Sequence, residues 1–400
     1  MNSKVLLVKS KQYLGTYDGN YPPNNQIWYT STDGNIVNPY NTNVFGANII
    51  SNTYENGKGI IKFEGSVTQI GKNAFTCGKN MEDATDNKLE TICVPQSCKT
   101  IGYGAFGACL SLTKVFIPDG CNSFDSLAFA YSPKIDYIQI PSTLTSIGDY
   151  CFLQCYQLNV QDTLNRLVSV GITNIPKCAF KETTAITINI PTEIESVGEY
   201  AFSMIHNLQS IEIHAKYLDY RAFYKNNDLV FANIGSETID SSVNIMQYCD
   251  KLTCINIGTN MNTIQYAAFS NNPRISHINI PSNIKTIDIV AFAYDNNLTS
   301  VVLNEGLETI GDYSFYGCGL EFVSIPKTVS RIGEGAFGDC TKLKRIKLNT
   351  NTPPTIGSLC FYDESETNIL IEQILVPKNS VETYKSTKEW TEYSDKIIGY

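Results

Sequence analysis

Hydrophobic positions recur on two scales along this chain. On the short scale, runs such as Ile138-Gln139-Ile140-Pro141, Ile278-Asn279-Ile280-Pro281 and Val323-Ser324-Ile325-Pro326 alternate apolar and polar residues. That is the period of a strand with one buried face. Pro95, Pro118, Pro141, Pro191, Pro281, Pro326 and Pro377 close such runs, as suits a residue without a ladder N–H. On the long scale a frame residue returns roughly every 23 positions: Phe75, Phe106, Phe129, Phe152, Phe180, Phe202, Phe223, Met246, Phe269, Phe292, Phe315, Phe337 and Phe361. Ile-Gly or Val-Gly precedes many of them (Ile70-Gly71, Ile147-Gly148, Val197-Gly198, Ile310-Gly311, Ile332-Gly333), with a small residue just before the Phe. Self-similarity at this period means a repeat solenoid, in which each unit buries its apolar face against its neighbours. The pattern predicts about 13 rungs, each a short β-strand plus a short helical or 3₁₀ turn around the frame residue.

The pattern Leu-x-x-Ile-x-Ile-Pro followed by Ile-Gly-x-x-Ala-Phe-x-x-Cys is cleanest over residues 298–348 and extends over about 60–400. It resembles the BspA-type (bacterial surface-antigen-like) leucine-rich repeats. The resemblance implies a leucine-rich-repeat solenoid and, because family members are mostly known as surface adhesins or binding proteins, a cell-surface or extracellular recognition role. Several units depart from the pattern: Met246 replaces a Phe, 76–88 inserts a loop, and 153–175 runs long.

Residues 1–57 lack the repeat and are rich in Tyr, Asn and Gly, including Tyr13, Tyr17, Tyr21, Trp28, Tyr29, Tyr40 and Tyr54. Turn dipeptides at Asp18-Gly19, Asp33-Gly34 and Asn56-Gly57 predict β-hairpins, forming an N-terminal cap or a segment that attaches the repeat to something larger. The solenoid is expected over 58–372 and a C-terminal cap over 373–400, with Ile374-Leu375-Val376-Pro377 as the last strand. Tyr384, Trp390, Tyr393, Ile397 and Ile398 then make an amphipathic tail.

Composition narrows the function. The 400 residues carry a net charge of −9 with 17% charged residues. A surface with no basic stripe argues against nucleic acid; Lys342, Lys344, Arg345 and Lys347 are a local exception. No apolar run approaches the roughly 18 residues of a membrane span. Residues 5–8 form an apolar run shorter than the roughly 7 to 15 of a secretory signal. The chain is therefore either a mature form or reaches the outside by another route, such as within a particle released by lysis. Cys109, Cys155, Cys249, Cys318 and Cys340 all lie three residues past a frame residue, core slots where free Cys acts as a small hydrophobe. A Cys318–Cys340 disulfide between consecutive rungs is the alternative. His206, His214 and His277 have no partners at metal-ligand spacing, and no nucleophile–base set or phosphate loop is legible. No enzyme, metal or cofactor is expected.

Recognition then falls to outward residues of the strands. Reading down the sheet, these are Lys114/Phe116, Tyr137/Gln139, Thr187/Asn189, Ser210/Glu212, Phe231/Asn233, Cys254/Asn256, His277/Asn279, Ser300/Val302, Phe322/Ser324 and Arg345/Lys347. Phe116, Tyr137, Phe231 and Phe322 are candidate aromatic platforms, flanked by His277 and Arg345. Asn189, Asn233, Asn256 and Asn279 share one column, either as a structural amide ladder or as part of a groove for a protein or glycan. The alternative function is a structural or receptor-binding component of a phage tail or other large particle, assembled through 1–57.

Overall fold

The computed structural model describes residues 20–78, 82–235, 238, 240–241 and 243–400. The apolar run 5–8, Tyr13, Tyr17, the Asp18-Gly19 turn and residues 79–81 of the inserted loop lie outside the described residues. The chain is a β-solenoid of about 13 turns. It divides into two units, Met1–Ala185 and Ile186–Tyr400.

In the first unit β2 (Ile49–Glu55) and β3 (Lys58–Phe63) form a hairpin around Asn56-Gly57. Both turn residues have positive φ, 51° and 78°, as a tight hairpin of this hand requires. Asp33-Gly34 makes a turn without a hairpin. β1 (Gln26–Ser31) pairs antiparallel with β3 on one side and with the first repeat strand, Leu89–Cys93, on the other. Lys114–Phe116 and Tyr137–Ile138 continue that sheet in parallel. The two-residue strands Gln69–Ile70, Thr100–Ile101, Ser123–Phe124 and Ser146–Ile147 form a second parallel sheet. The long stretch 153–175 is not an open loop. It holds α1 (Val160–Ser169), capped by Asn159, whose Oδ1 accepts from the Asp162 N–H at 2.9 Å; Val160, Leu164 and Leu167 turn inward.

In the second unit the longer strands form two parallel sheets: four strands from Thr187–Ile190 to Cys254–Asn256, and six from His277–Ile280 to Ile397–Gly399. Ile188, Ile190, Ile211, Ile213, Ile278 and Ile280 are buried while their neighbours face out, so the strand register read from alternation holds. Ile374-Leu375-Val376 is not the last strand. Ile397–Gly399 pairs beyond it in parallel, because α2 (Val381–Ser386) and the 3₁₀ segment Lys388–Lys396 lead the chain back to the sheet edge. Tyr384, Trp390 and Tyr393 are fully buried, whereas Ile398 stays exposed.

The segments around the frame residues are paired turns, not helical or 3₁₀ turns. Tyr313, Phe315 and Gly317 donate their N–H groups to Glu334, Ala336 and Gly338 carbonyls of the next rung at 2.7, 2.9 and 2.9 Å. The intervening Ser314, Tyr316 and Cys318 N–H groups turn back onto Gly311, Tyr313 and Phe315 at 3.3, 3.1 and 3.2 Å. Positive φ two residues before and after the frame (Tyr313 55°, Gly317 69°) produces this alternation and excludes a right-handed helix. All six of these amides are satisfied, three of them between rungs.

This spacing stacks the frame rings. Centroids lie 5.2–5.8 Å apart from Phe75 to Phe180 in the first unit. In the second they lie 5.4–6.1 Å apart at Phe202–Phe223 and from Phe269 to Phe361, with Met246 as the interruption. Aromatics end the stacks edge-on: Phe45 on Phe75 at 65°, and Tyr393 on Phe361 at 80°. Further stacking of the same kind is thereby stopped without exposing a ring face.

Three residues past the frame runs a polar column. Cys109, Cys318 and Cys340 donate their S–H to the Phe75, Phe292 and Phe315 carbonyls at 3.1, 3.2 and 3.1 Å. Ser132 donates to Phe106 O at 2.7 Å, and Asn272 to Met246 O at 3.0 Å. These cysteines are thus donors as well as small core residues, and all thirteen in the chain are free thiols. Asn226 and Asn272 accept backbone N–H groups of the preceding rung through Oδ1, at 2.8 and 2.7 Å. Asp295 Oδ1 does the same from Asn272 at 2.7 Å, while Oδ2 has no partner. By that geometry Oδ2 occupies the donor position of the column. Burial pushes the Asp295 carboxyl well above its ordinary value, which favours the protonated form at a position where the column otherwise places a donor.

Two outcomes follow. Phe292→Ala removes a ring between two others and should cost about 3–5 kcal/mol. Hydrogen exchange should rise around Phe269 and Phe315 and stay unchanged around Phe75 and Phe106, since rungs couple to neighbours. With its carboxyl raised by burial, Asp295 holds its proton to higher pH in the folded chain than in the unfolded chain, whose ordinary value is 3.8, so this residue's contribution to stability should fall as pH rises from there. Asp295→Asn should raise the melting temperature at pH 7 and remove that part of the decline, checked by thermal unfolding between pH 5 and pH 8.

Candidate functional site

The outward strand face differs between the two units. In the first it is closed over. Phe116 points to that face but is 2% exposed, packed with Cys93, Tyr21, Trp28 and Tyr137. The expectation of an exposed platform at Phe116 is therefore corrected: the N-terminal segment lays its own aromatics there, and burial of apolar surface favours that closure. Tyr137 is half-buried, 5.7 Å from Phe116 by ring centroids, with the Arg166 guanidinium of α1 4.8 Å from its ring. Gln139 donates to the Tyr21 hydroxyl. The sequence showed the N-terminal aromatics but nothing that aimed them at this sheet.

In the second unit the face is open. One column holds Thr187, Ser210, Phe231 and Cys254 in register, and, in the second sheet, His277, Ser300, Phe322 and Arg345. Phe322 is 43% exposed; His277 and Arg345 are exposed and Phe231 is half-buried. Phe322 and Arg345 are direct neighbours. Phe231 and Phe322 are not: they belong to different sheets and do not form one aromatic cluster.

The parallel column carries the asparagines. Asn233 and Asn256 are adjacent in register, Glu212 separates Asn189 from Asn233, and Asn279 opens the next sheet. A continuous ladder of four amides is therefore not formed. The amides that do clasp successive rungs are others. Asn304 Nδ2 donates to Asn279 Oδ1 and Ile280 O at 2.9 and 2.7 Å, and Asn349 Nδ2 to Ser324 Oγ and Ile325 O at 3.0 and 2.9 Å. Each sits just past a closing Leu, a position the alternation pattern did not single out.

The basic cluster is partly engaged within the chain. Lys344 Nζ lies 3.7 Å from Glu372, and Lys347 Nζ 4.1 Å from the Tyr400 ring centroid. Among the described residues no three His, Cys, Asp or Glu side chains gather as a metal site. No helix there is long and apolar enough to cross a membrane.

The BspA type leucine rich repeat region, as a family, matches residues 83–172, 173–299 and 268–384, with six copies of its repeat. The chain belongs to this family. Among solved structures it is similar to a leucine-rich repeat protein of Bacteroides ovatus, at 22% identity and a TM-score of 0.41 over 70% of this chain and 59% of that one. The chain thus spans less than two thirds of that protein. It is also similar to a leucine rich cell surface protein of Faecalibacterium prausnitzii (20%, TM-score 0.37, 76% and 86% of the two chains). A third similarity is to the pneumococcal vaccine antigen PcpA (16%, TM-score 0.41, 92% and 99%). No curated protein matches by sequence. The family and these structures give no support to the phage-tail alternative.

The outward column makes one chemical prediction. Cys254 is exposed beside Phe231, Cys77 is half-buried, and the other cysteines are buried. Burial pushes the Cys155, Cys249 and Cys340 thiols up to about 12, which leaves almost no thiolate to react. Maleimide labelling of the native protein, mapped by mass spectrometry, should modify Cys254 first and Cys77 more slowly. The buried thiols should react only after denaturation.

Proposed function

We propose that this repeat protein is a non-enzymatic recognition protein of the cell surface, binding a protein or glycan through the outward strand face of its second unit. One observation carries the reading: the chain covers that face with Tyr21 and Trp28 in its first unit and leaves Phe322 and Arg345 open in its second. Aromatic residues, Phe among them, and arginine are enriched in the buried centres of protein interfaces. The parallel sheet beneath is rigid, since Val323, Ile325, Ile346 and Leu348 are buried on its inner side. Family membership supports a recognition role.

Screening the purified chain on glycan arrays and against surface-protein libraries tests this. A saturable partner should appear, and Phe322→Ala with Arg345→Ala should weaken it tenfold or more, about 1.4 kcal/mol per decade. Asn189→Ala, Asn233→Ala, Asn256→Ala and Asn279→Ala report whether the amide column belongs to the site. A partner bound with unchanged affinity by the Phe322 and Arg345 variants would show that another surface does the work.

A further inference from the structure

The turn side of the second unit carries a cavity unrelated to the strand face. It has a volume of about 230 Å³ and is lined by Tyr294, Tyr313, Tyr316, Tyr362, Asp363 and Glu366 among others. The tyrosine walls stand at steep angles to one another. Tyr294 and Tyr316 have centroids 5.6 Å apart at 71°, and Tyr313 and Tyr316 5.7 Å apart at 64°. The next rung presents glycine beneath the rings. A Cβ on Gly335 would come within 2.4 Å of the Tyr313 ring, and one on Gly338 within 3.0 Å of the Tyr316 ring.

The rim is negative. Glu334 accepts the Tyr313 hydroxyl at 2.6 Å. Asp363 is held ionised at about 2 by Asn368 and by Ser365 and Thr367 of its own loop. Burial, then Glu364 and Asp363, raise the Asp339 carboxyl. Arg331 is already engaged by Asp312 at 2.8 Å. Among the described residues no ion pair neutralises Glu334, Asp363, Glu364 or Glu366.

Elsewhere on the tyrosine-bearing turns the chain supplies its own cation. Lys72 lies 5.3 Å from the Tyr103 ring centroid, and Arg221 lies 4.8 and 4.6 Å from those of Tyr220 and Tyr224. Among the described residues no Lys or Arg lies over Tyr294, Tyr313, Tyr316 or Tyr362. Aromatic rings lining a cavity with carboxylates beside them attract a weakly hydrated cation through the ring quadrupoles. The volume is below the roughly 300–1,000 Å³ of sites for drug-sized ligands, which suits a head group. We propose that this cavity binds a quaternary ammonium group of the trimethylammonium type. The proposal stands apart from the strand-face reading, and either can fail alone.

Titration of the full chain with choline and with tetramethylammonium chloride, followed by NMR, tests it. Saturable binding is expected, with the N-methyl protons shifted upfield by the rings. The neutral carbon isostere 3,3-dimethylbutanol should bind at least tenfold more weakly. Tyr294→Ala and Tyr316→Ala should each lose tenfold or more in affinity, while Tyr294→Phe and Tyr316→Phe, which keep ring and fold, should retain binding. Glu366→Gln should weaken the cations several-fold and leave the isostere unchanged. Sedimentation with phosphatidylcholine vesicles against phosphatidylglycerol vesicles separates sources: selective co-sedimentation assigns a lipid head group, and binding of free choline alone assigns a soluble ammonium. Absence of saturation by both cations, or equal affinity for the neutral isostere, overturns the proposal.

Discussion

Hydrogen bonding between the turns of successive rungs is the constraint from which the rest follows. The N–H groups at the frame residue and two positions either side go to the next rung, which sets equivalent residues at about the 4.8 Å of neighbouring strands. Whatever occupies one position must then pack against its own kind. A flat ring does this by offset stacking, hence the Phe column; a β-branched chain does it in the strands. The same spacing penalises a buried polar group without a partner, and Cys, Ser and Asn fill most positions three residues past the frame, beside Asp295 with its raised carboxyl.

That constraint also divides the molecule's surfaces by role. Inward positions are committed to the column above and below. Outward strand positions and turn tyrosines are not, so they vary from rung to rung and can carry chemistry. The chain uses this freedom in both directions. It closes the first unit's strand face with Tyr21, Trp28 and Phe116, and leaves the second unit's face and the Tyr294–Tyr316 cavity to solvent. A stack also has to end. Phe45 and Tyr393 meet it edge-on. At the C-terminal side Trp390 donates its indole N–H to Pro354 O at 2.8 Å, and the Tyr384 hydroxyl donates to Thr350 O at 3.0 Å, so the capping aromatics bury no unpaired indole or Tyr384 hydroxyl.

The repeat class, the frame residues, the strand register and the core placement of the cysteines were all legible in the sequence, because each is a periodic property and periodicity survives in one dimension. The candidate site was legible only as a set of outward positions. Phe116 and Phe322 are both outward residues of a repeat strand, at the second and the first outward position of their rungs. One is buried and the other exposed, because a segment distant in the chain covers Phe116.

Sequence alone therefore determined the rung: which residues turn inward, and that neighbours must match. Tertiary structure decided what long-range contacts decide. It bent the frame segments into alternating turns where short helices were expected, since inter-rung amides compete with the i→i−4 bonds of a helix. It brought Tyr21 across to Phe116, placed α1 where a strand was missing, and carried Ile397–Gly399 back beyond Gln373–Val376. It also set tyrosines of different rungs around one cavity, a proximity fixed by stacking and not by the order of residues along the chain.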